Sequence, residues 1–238
     1  MKKVMLLYMI LAFAMVGCKQ TNVNDNKTVS MTEQIEENKD TAPEETESLN
    51  FTYKESENDK TGYVIDSYEG EAKIFEIPES YESKPVIEIG EQALAYAKME
   101  KVILGENIVM TDSYSFFYCK NLKTIEFNKK IKIIGESTFL CTGLSGKLVI
   151  PDSVERIETC AFGKTNLEEI EFGKGVKFVG AQAFGENENL KKAVFNSADI
   201  EFEDENAFLG SPNVTIVAPK GSTAEQYAKD NNINFEER

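Results

Sequence analysis

The amino-acid sequence predicts a β-rich α/β solenoid built from about six stacked units. A nine-residue pattern, seen for example as VERIETCAF, occurs six times, and each copy ends in a large apolar residue that we call the anchor. Consecutive anchors are 22 to 24 residues apart. The anchors are Leu94, Phe116, Phe139, Phe162, Phe184 and Phe208. One unit of this size cannot bury its apolar side chains alone, so the repeat predicts coils that stack and cover one another.

Each unit repeats the same apolar columns around its anchor. The residue eight positions before the anchor is β-branched in all six units: Val86, Ile108, Ile131, Val154, Val176 and Ile200. Five positions before the anchor, the column reads Ile89, Thr111, Ile134, Ile157, Val179 and Glu203. Five or six positions after the anchor stand Met99, Leu122, Leu144, Leu167, Leu190 and Val214. Because Thr111 and Glu203 interrupt the second column, we expect irregular second and sixth coils.

A short strand is predicted after each anchor. The segments are KVIL, TIEF, KLVI, EIEF, KAVF and TIVA. In TIEF, alternation places Ile125 and Phe127 on one face and Thr124 and Glu126 on the other. We therefore expect a parallel sheet along one side of the solenoid, with a core face and an outward face.

The N-terminus has the features of a secretory signal over residues 1–17. Lys2 and Lys3 precede an apolar run from Val4 to Val16 that is too short for a permanent membrane span. The run ends in MVGC, which resembles the lipobox of bacterial lipoproteins. This resemblance implies that the Cys18 thiol is lipidated. The alternative is an ordinary signal peptide followed by an incidental cysteine.

Residues 18–50 are predicted to be a disordered acidic linker. This stretch contains three lysines, eight acidic residues and no aromatic residue. Such a composition cannot bury enough apolar surface to offset the entropy lost on ordering. The linker would hold the folded part of the chain away from the membrane.

Composition excludes several classes of function. The chain has no histidine and no tryptophan, and its formal net charge is −15. Without histidine, Ser-His-Asp and Cys-His catalysis and histidine-containing zinc sites are ruled out. A strongly acidic chain is also a poor ligand for nucleic acid and is repelled by anionic lipid. We therefore expect no enzyme activity, no cofactor, no metal, no nucleic-acid partner and no membrane contact beyond the lipid anchor.

Two short motifs that suggest chemistry are better explained by the repeat. Gly163-Lys164-Thr165 resembles the end of a phosphate-binding loop, but Glu158 stands where that loop requires glycine. We assign this segment to the turn after an anchor. Cys160 has no histidine to activate it, which favours a small buried residue over a nucleophile. The acidic segment EFEDENAF lacks the glycine of a calcium loop.

The repeat also resembles a known family. The segments IPDSVERIETCAF, LCTGLSGKLVIPDSVERI and YCKNLKTIEF are similar to BspA-like leucine-rich-repeat proteins of bacterial surfaces, over residues 86–218. The resemblance implies a right-handed leucine-rich-repeat solenoid, a β cap over residues 51–85 and a C-terminal cap over residues 219–238. In the C-terminal cap, Ser222 can start a short helix that runs through Lys229, with Tyr227 packed on the last coil.

The same resemblance bears on the cysteines and on function. The family often carries a cysteine just after the anchor, as at Cys119 and Cys141. These two residues are expected on neighbouring coils, where either a disulfide or a pair of free thiols is possible. The family is implicated in adhesion and in binding host proteins, and it offers no catalytic residues.

Two surfaces are candidates for partner binding. One is the outward face of the predicted sheet, where a strip mixes charged and small aliphatic side chains: Lys101, Ile103, Thr124, Glu126, Lys147, Val149, Glu169, Glu171, Lys192 and Val194. The strip fits weak protein binding and equally fits a plain solvated sheet. The other is the aromatic run YSFFYC, in which we expect Phe117 and Tyr118 to be exposed; the alternative is that the run serves local packing.

The sequence thus favours a monomeric, lipid-anchored, extracytoplasmic module of the bacterial cell envelope that binds a protein or glycan partner and acts in adhesion. The alternative is a structural or assembly subunit of the envelope, for instance one associated with a transporter.

Overall fold

The computed structural model describes residues 50–57 and 59–238, which form a solenoid of parallel β coils. The predicted signal peptide, the Cys18 lipidation site and nearly all of the linker lie outside the described residues. In the part of the chain that is described, no helix has the length and apolar character needed to cross a membrane.

The chain enters the solenoid through five strands. They are β1 (Asn50–Glu55), β2 (Tyr63–Glu69), β3 (Ile74–Glu76), β4 (Ser80–Tyr81) and β5 (Lys84–Ile89). Strands β1 and β2 are antiparallel, and β2 then runs parallel to β5. Phe51 and Tyr68 pack on the buried ring of Phe75, with ring centroids 6.1 and 4.3 Å away. Aromatic side chains therefore cover the first end of the core.

Two ladders of short parallel strands run along the solenoid. The first continues from β5 through β7 (Met110–Thr111), β9 (Ile133–Ile134), β11 (Arg156–Ile157), β13 (Phe178–Val179) and β15 (Glu201–Phe202). The second contains β6 (Lys101–Ile103), β8 (Thr124–Glu126), β10 (Ser145–Val149), β12 (Asn166–Phe172), β14 (Lys192–Phe195), β16 (Thr215–Ala218) and β17 (Asn234–Glu237). The second ladder is divided into a β3-β6-β8 sheet and a β10-β12-β14-β16-β17 sheet. Its strands from β6 to β16 lie at the six segments that the sequence predicted, and β17 is an additional strand.

A third side of the solenoid consists of turns around the anchors, which we call the turn ladder (residues 91–97, 113–119, 136–142, 159–165, 181–187 and 205–211). In the first five turns, the residues two before and two after the anchor have positive φ angles, between 51° and 64°. Backbone N–H groups of each turn donate to carbonyl oxygens of the next; Leu94 N, for example, donates to Ser115 O at 2.9 Å. The turns are therefore joined into a continuous hydrogen-bonded wall.

The predicted apolar columns form the core. The anchor rings of Phe116, Phe139, Phe162, Phe184 and Phe208 are stacked face to face, with successive centroids 5.1 to 5.5 Å apart. All six anchors and all six β-branched residues of the first column are buried. The solenoid fold and its leucine-rich-repeat register are thereby confirmed.

Helix α1 (Thr223–Asp230) closes the C-terminal end, as the sequence predicted. The Ser222 hydroxyl oxygen accepts a hydrogen bond from the Glu225 backbone N–H at 3.2 Å. Tyr227 stacks on Phe202 of the sixth coil at 4.0 Å between ring centroids. The helix ends one residue later than expected.

Three details differ from the sequence expectation. There are two strand ladders where one sheet was expected, because the residues before each anchor also pair between coils. In the sixth coil the inward residue is Phe202 and not Glu203, since this coil is one residue longer and Phe202 pairs with Val179. The second coil stays in register, with Thr111 between Ile89 and Ile134.

Candidate partner-binding site

The outward strip of the second ladder lies where the sequence placed it, and its charges are largely paired with one another. Lys147 contacts Glu169 at 3.0 Å and Glu171 at 2.8 Å, and Lys101 contacts Glu126 at 2.5 Å. Hydrogen bonds to Glu171 and Glu169 raise the pKa of Lys147. Because these charged side chains pair with one another, few charges of the strip remain for a partner.

The apolar members of the strip differ in exposure. Val149 is 55% exposed, whereas Val194 is only 9% exposed although it faces outward in register with Glu171. Ile103 is half-buried, as are Glu169, Glu171 and Lys192. Thr124 and Glu126 are exposed. Only a small apolar area around Val149 is therefore open to solvent.

A cluster of aromatic side chains lies on the turn ladder at coils one and two; we call Tyr96, Phe117, Tyr118 and Lys120 the tyrosine patch. Tyr96 is 57% exposed, and its ring centroid is 5.5 Å from those of Phe117 and Tyr118. The Lys120 ammonium lies 4.3 Å above the Tyr118 ring. The expectation that Phe117 and Tyr118 are both exposed is wrong: Tyr118 is half-buried, and Phe117 is only 5% exposed and supports the two tyrosines from below.

Sequence reasoning missed Tyr96, the most exposed ring of the patch. It is a single aromatic residue within EQALAYAKME and does not belong to the dense run YSFFYC. A positional signal was present, because Tyr96 and Tyr118 both stand two residues after an anchor and so share one column of the turn ladder. Seven of the nine tyrosines also lie between residues 53 and 118, which marks this end as the aromatic one.

A pocket of about 220 Å³ opens beside Tyr96 at the N-terminal end of the turn ladder. It is lined by Tyr68, Gly70, Glu71 and residues 93–98. At its rim the Lys98 ammonium pairs with the Glu71 carboxylate at 2.8 and 3.1 Å. The pocket and the tyrosine patch share Tyr96 and form one continuous surface.

None of the three cysteines among the described residues forms a disulfide. Cys119 and Cys141 are therefore not bridged, and the Cys119 thiol donates to the Leu94 carbonyl oxygen at 3.1 Å. Burial raises the pKa of Cys119 to about 12 and that of Cys160 to about 11. Since the thiolate is the reactive form, these pKa values leave both groups poor nucleophiles at neutral pH.

The remaining motifs have structural roles. The Thr165 backbone N–H and hydroxyl donate to Asn187 Oδ1 at 2.7 and 2.8 Å, which fixes the Gly163-Lys164-Thr165 turn against the next coil. A Glu203 carboxylate oxygen accepts hydrogen bonds from Ala181 N and the Thr159 hydroxyl. Among the described residues, no three histidine, cysteine or acidic side chains converge as a metal site would require.

Comparison with known proteins agrees with the geometry. The sequence model of the family described as BspA type leucine rich repeat region matches residues 70–162 and 145–231, in six copies. The solved structure of a leucine-rich repeat protein from Bacteroides ovatus is similar, with 20% identity and a TM-score of 0.57 over 70% of this chain. The chain covers 45% of that protein.

A second similar solved structure is that of a leucine-rich repeat protein from T. pallidum, with 20% identity and a TM-score of 0.50. The match covers 70% of this chain and 68% of the T. pallidum chain. At this identity the two structures support the fold alone. No curated protein matches the sequence.

Proposed function

Because the chain belongs to the BspA-type leucine-rich-repeat family, we propose that it binds a protein or glycan partner at the bacterial surface through the tyrosine patch. The observation that carries this proposal is the placement of Tyr96. A ring that is more than half exposed adds little to the core, yet it occupies a left-handed backbone position, with φ of 64°.

Such a position is unfavourable for tyrosine. Left-handed backbone costs about 1–2 kcal/mol for a residue with a Cβ, and glycine or asparagine is preferred there. Tyr118 has the same geometry, with φ of 60°. Every turn of the ladder has this backbone, and tyrosine is not a residue that suits it, so two neighbouring tyrosines in this column support a binding role. Tyrosine is also among the residues most enriched at interface hot spots.

The outward strip of the second ladder is a second candidate surface. Its support is the exposure of Val149 near the centre of the ladder, next to Glu171 on the following strand. Its mutual ion pairs argue for a lesser role, since exposed pairs contribute little and must be broken to engage a partner's charges.

The proposal includes lipid anchoring at Cys18 and display on the outer face of a membrane. The lipobox-like MVGC sequence after a short apolar run supports it. Two to three acyl chains would hold the protein stably at the membrane. The alternative assignment, an assembly subunit of the envelope or of a transporter, shares the anchor and differs in the partner.

Binding is tested with a panel of purified extracellular-matrix proteins and a glycan array, probed with the full-length protein in detergent. We expect at least one ligand whose binding is lost in the Tyr96→Asn/Tyr118→Asn double variant. Asparagine suits the left-handed backbone and removes only the rings. Ligands that bind both proteins equally would contradict the role of the patch.

Anchoring is tested separately by labelling cells with a clickable fatty acid. We expect label on the wild-type protein and none on Cys18→Ser. Equal label on the two proteins would contradict the assignment.

A further inference from the structure

The pocket beside Tyr96 is lined by a backbone edge that no part of the described chain pairs. In the turn ladder, three alternate N–H groups of one turn donate to three alternate carbonyl oxygens of the next. Gln92, Leu94 and Tyr96 donate to the carbonyl oxygens of Ser113, Ser115 and Phe117 at 3.0, 2.9 and 2.8 Å. Tyr114, Phe116 and Tyr118 donate in the same way to Glu136, Thr138 and Leu140. The carbonyls of these positions therefore point back toward the preceding coil.

The preceding coil, which contains β2 and β3, has no turn that hydrogen-bonds to the first turn of the ladder within the described residues. The equivalent carbonyl groups of the first turn belong to Glu91, Ala93 and Ala95, and none of them accepts a hydrogen bond from residues 50–57 or 59–238. Gln92 and Tyr96 have the same left-handed backbone as their counterparts in later turns. The carbonyls of Ala93 and Ala95 thus face the N-terminal end of the ladder, where both residues line the pocket.

Unpaired carbonyl groups in a recess need a donor. Ala93 is 7% exposed, Ala95 is half-buried, and both line the pocket. Buried carbonyl groups in proteins are nearly always satisfied, because leaving one unpaired is unfavourable. A ligand that brings several N–H donors would take the place of the turn that the preceding coil lacks.

The rest of the lining indicates a cation. The Glu71 carboxylate adds a charged acceptor, and two aromatic residues, Tyr68 and Tyr96, are part of the lining. Aromatic faces attract cations, and guanidinium groups most often occupy such positions. A volume of about 220 Å³ is below the usual size of a small-molecule site and suits one long side chain.

We propose that this pocket receives the arginine side chain of a basic partner protein, with the guanidinium donating to the Ala93 and Ala95 carbonyl oxygens and to Glu71. This inference rests on the proposed function, since it names the chemistry of a protein partner that also contacts Tyr96. The planar guanidinium carries five N–H donors in a fixed fork and stacks on aromatic rings, whereas a lysine ammonium is a compact point charge. The net charge of −15 favours encounter with a basic partner.

Lys98 is the internal competitor of such a ligand. Its ammonium holds Glu71 in the free protein, but both side chains are largely exposed, so the pair is weak and exchangeable. Removing Lys98 therefore frees the carboxylate for an incoming guanidinium.

The test uses N-acetyl-arginine amide as the probe and the full-length protein in detergent, with binding read from backbone amide shifts of residues 93–98. The neutral isostere N-acetyl-citrulline amide is the ligand control. We expect saturable shifts with the arginine probe, roughly tenfold weaker binding of the citrulline probe, and roughly tenfold weaker arginine binding in Glu71→Gln, since one charge-assisted contact is lost. Tyr96→Ala should weaken binding, Tyr96→Phe should retain it, and Lys98→Gln should strengthen it.

The matched control is Glu106→Gln, which changes net charge equally at an exposed residue outside the pocket. If Glu106→Gln and Glu71→Gln weaken binding of the arginine probe equally, the effect is due to overall charge and the proposal is overturned. Equal binding of the two probes, or no shifts at residues 93–98, would overturn it as well.

Tyr118 does not line the pocket, which separates this proposal from the proposed function. If the arginine probe causes no response while binding of a panel ligand still depends on Tyr118, the pocket proposal is rejected and the proposed function stands. If the arginine probe binds but no ligand of the panel does, the binding role of the tyrosine patch is rejected.

Discussion

The two ends of the turn ladder have the same backbone and different side chains. The residues two positions after the anchors are Tyr96, Tyr118, Cys141, Lys164, Glu186 and Gly210, all with positive φ between 54° and 77°. At the C-terminal end the column carries glycine, which is suited to this conformation. At the N-terminal end it carries two neighbouring tyrosines, one of them 57% exposed. The backbone conformation is thus constant along the ladder, whereas the tyrosines at the N-terminal end are not residues that this conformation favours.

The largest expected effect separates the core anchors from the tyrosine column. Phe139 and Phe162 are fully buried, with rings 5.1 Å apart. Phe139→Ala should lower the free energy of unfolding by ~3–5 kcal/mol, through lost burial and the cavity left behind. Tyr96→Asn should change it by less than about 1 kcal/mol, because strain relief offsets the lost ring contacts. Urea denaturation measures both, and similar losses in the two variants would contradict this division.

An intermediate effect is expected at the second coil, where a hydroxyl is buried without a partner. Thr111 is fully buried and its hydroxyl oxygen has no hydrogen bond, whereas the Thr138 hydroxyl donates to the Asp112 carbonyl oxygen at 3.1 Å. Thr111→Val should therefore raise the free energy of unfolding by ~1 kcal/mol, and Thr138→Val should lower it by a similar amount. A change of the same sign in the free energy of unfolding of both variants would show that hydrogen bonding does not distinguish the two hydroxyls.

The C-terminal cap should show an effect of similar size. Ser222 accepts from Glu225 N at the start of α1, and Tyr227 anchors the helix on Phe202. Ser222→Ala should lower the free energy of unfolding by ~1 kcal/mol, and Ser222→Asp should retain stability because aspartate also caps helices. Thermal denaturation of the two variants gives the comparison, and equal losses would exclude capping as the cause.

The smallest expected effect is a pH dependence from exposed ion pairs. Hydrogen bonds from Lys132 and Lys177 hold the pKa of Glu155 below its ordinary value of 4.5, and Lys147 does the same for Glu171. A lowered pKa in the folded state means that this contribution is present above pH 4.5 and is lost as the pH falls below that value. The decline in urea midpoint on acidification should be shallower in Glu155→Gln than in wild type. Identical declines in the variant and the wild type would show that Glu155 does not contribute to the pH dependence of stability.

The parts of the fold that were predictable are those fixed by burial. Six anchors and their β-branched partners repeat because each coil must fill the same volume against the next, and this requirement is visible in the sequence. Five strands of the first ladder were missed because each is only two residues long and is set by backbone pairing, without alternation: β7, β9, β11, β13 and β15. Phe202 was missed because the sixth coil has one extra residue, which shifts a column counted from the anchor.

The candidate site was less predictable, for two physical reasons. Tyr96 stands alone among alanines, and its exposure depends on a turn geometry that composition does not reveal. The pocket depends on hydrogen-bond donors that are missing from the preceding coil, so it arises from the position of the first turn in the stack and not from a motif. The carbonyls of Ala93 and Ala95 carry no sequence signal.

The most direct test of the central claim compares the two candidate faces against one partner from the panel. The Tyr96→Asn/Tyr118→Asn variant removes the tyrosine patch, and Val149→Arg/Glu171→Arg reverses the centre of the outward strip. We predict at least tenfold weaker binding in the first variant, unchanged binding in the second, and an unfolding midpoint near that of wild type in both. Unchanged binding in the tyrosine variant together with lost binding in the strip variant would contradict the account and assign the site to the sheet.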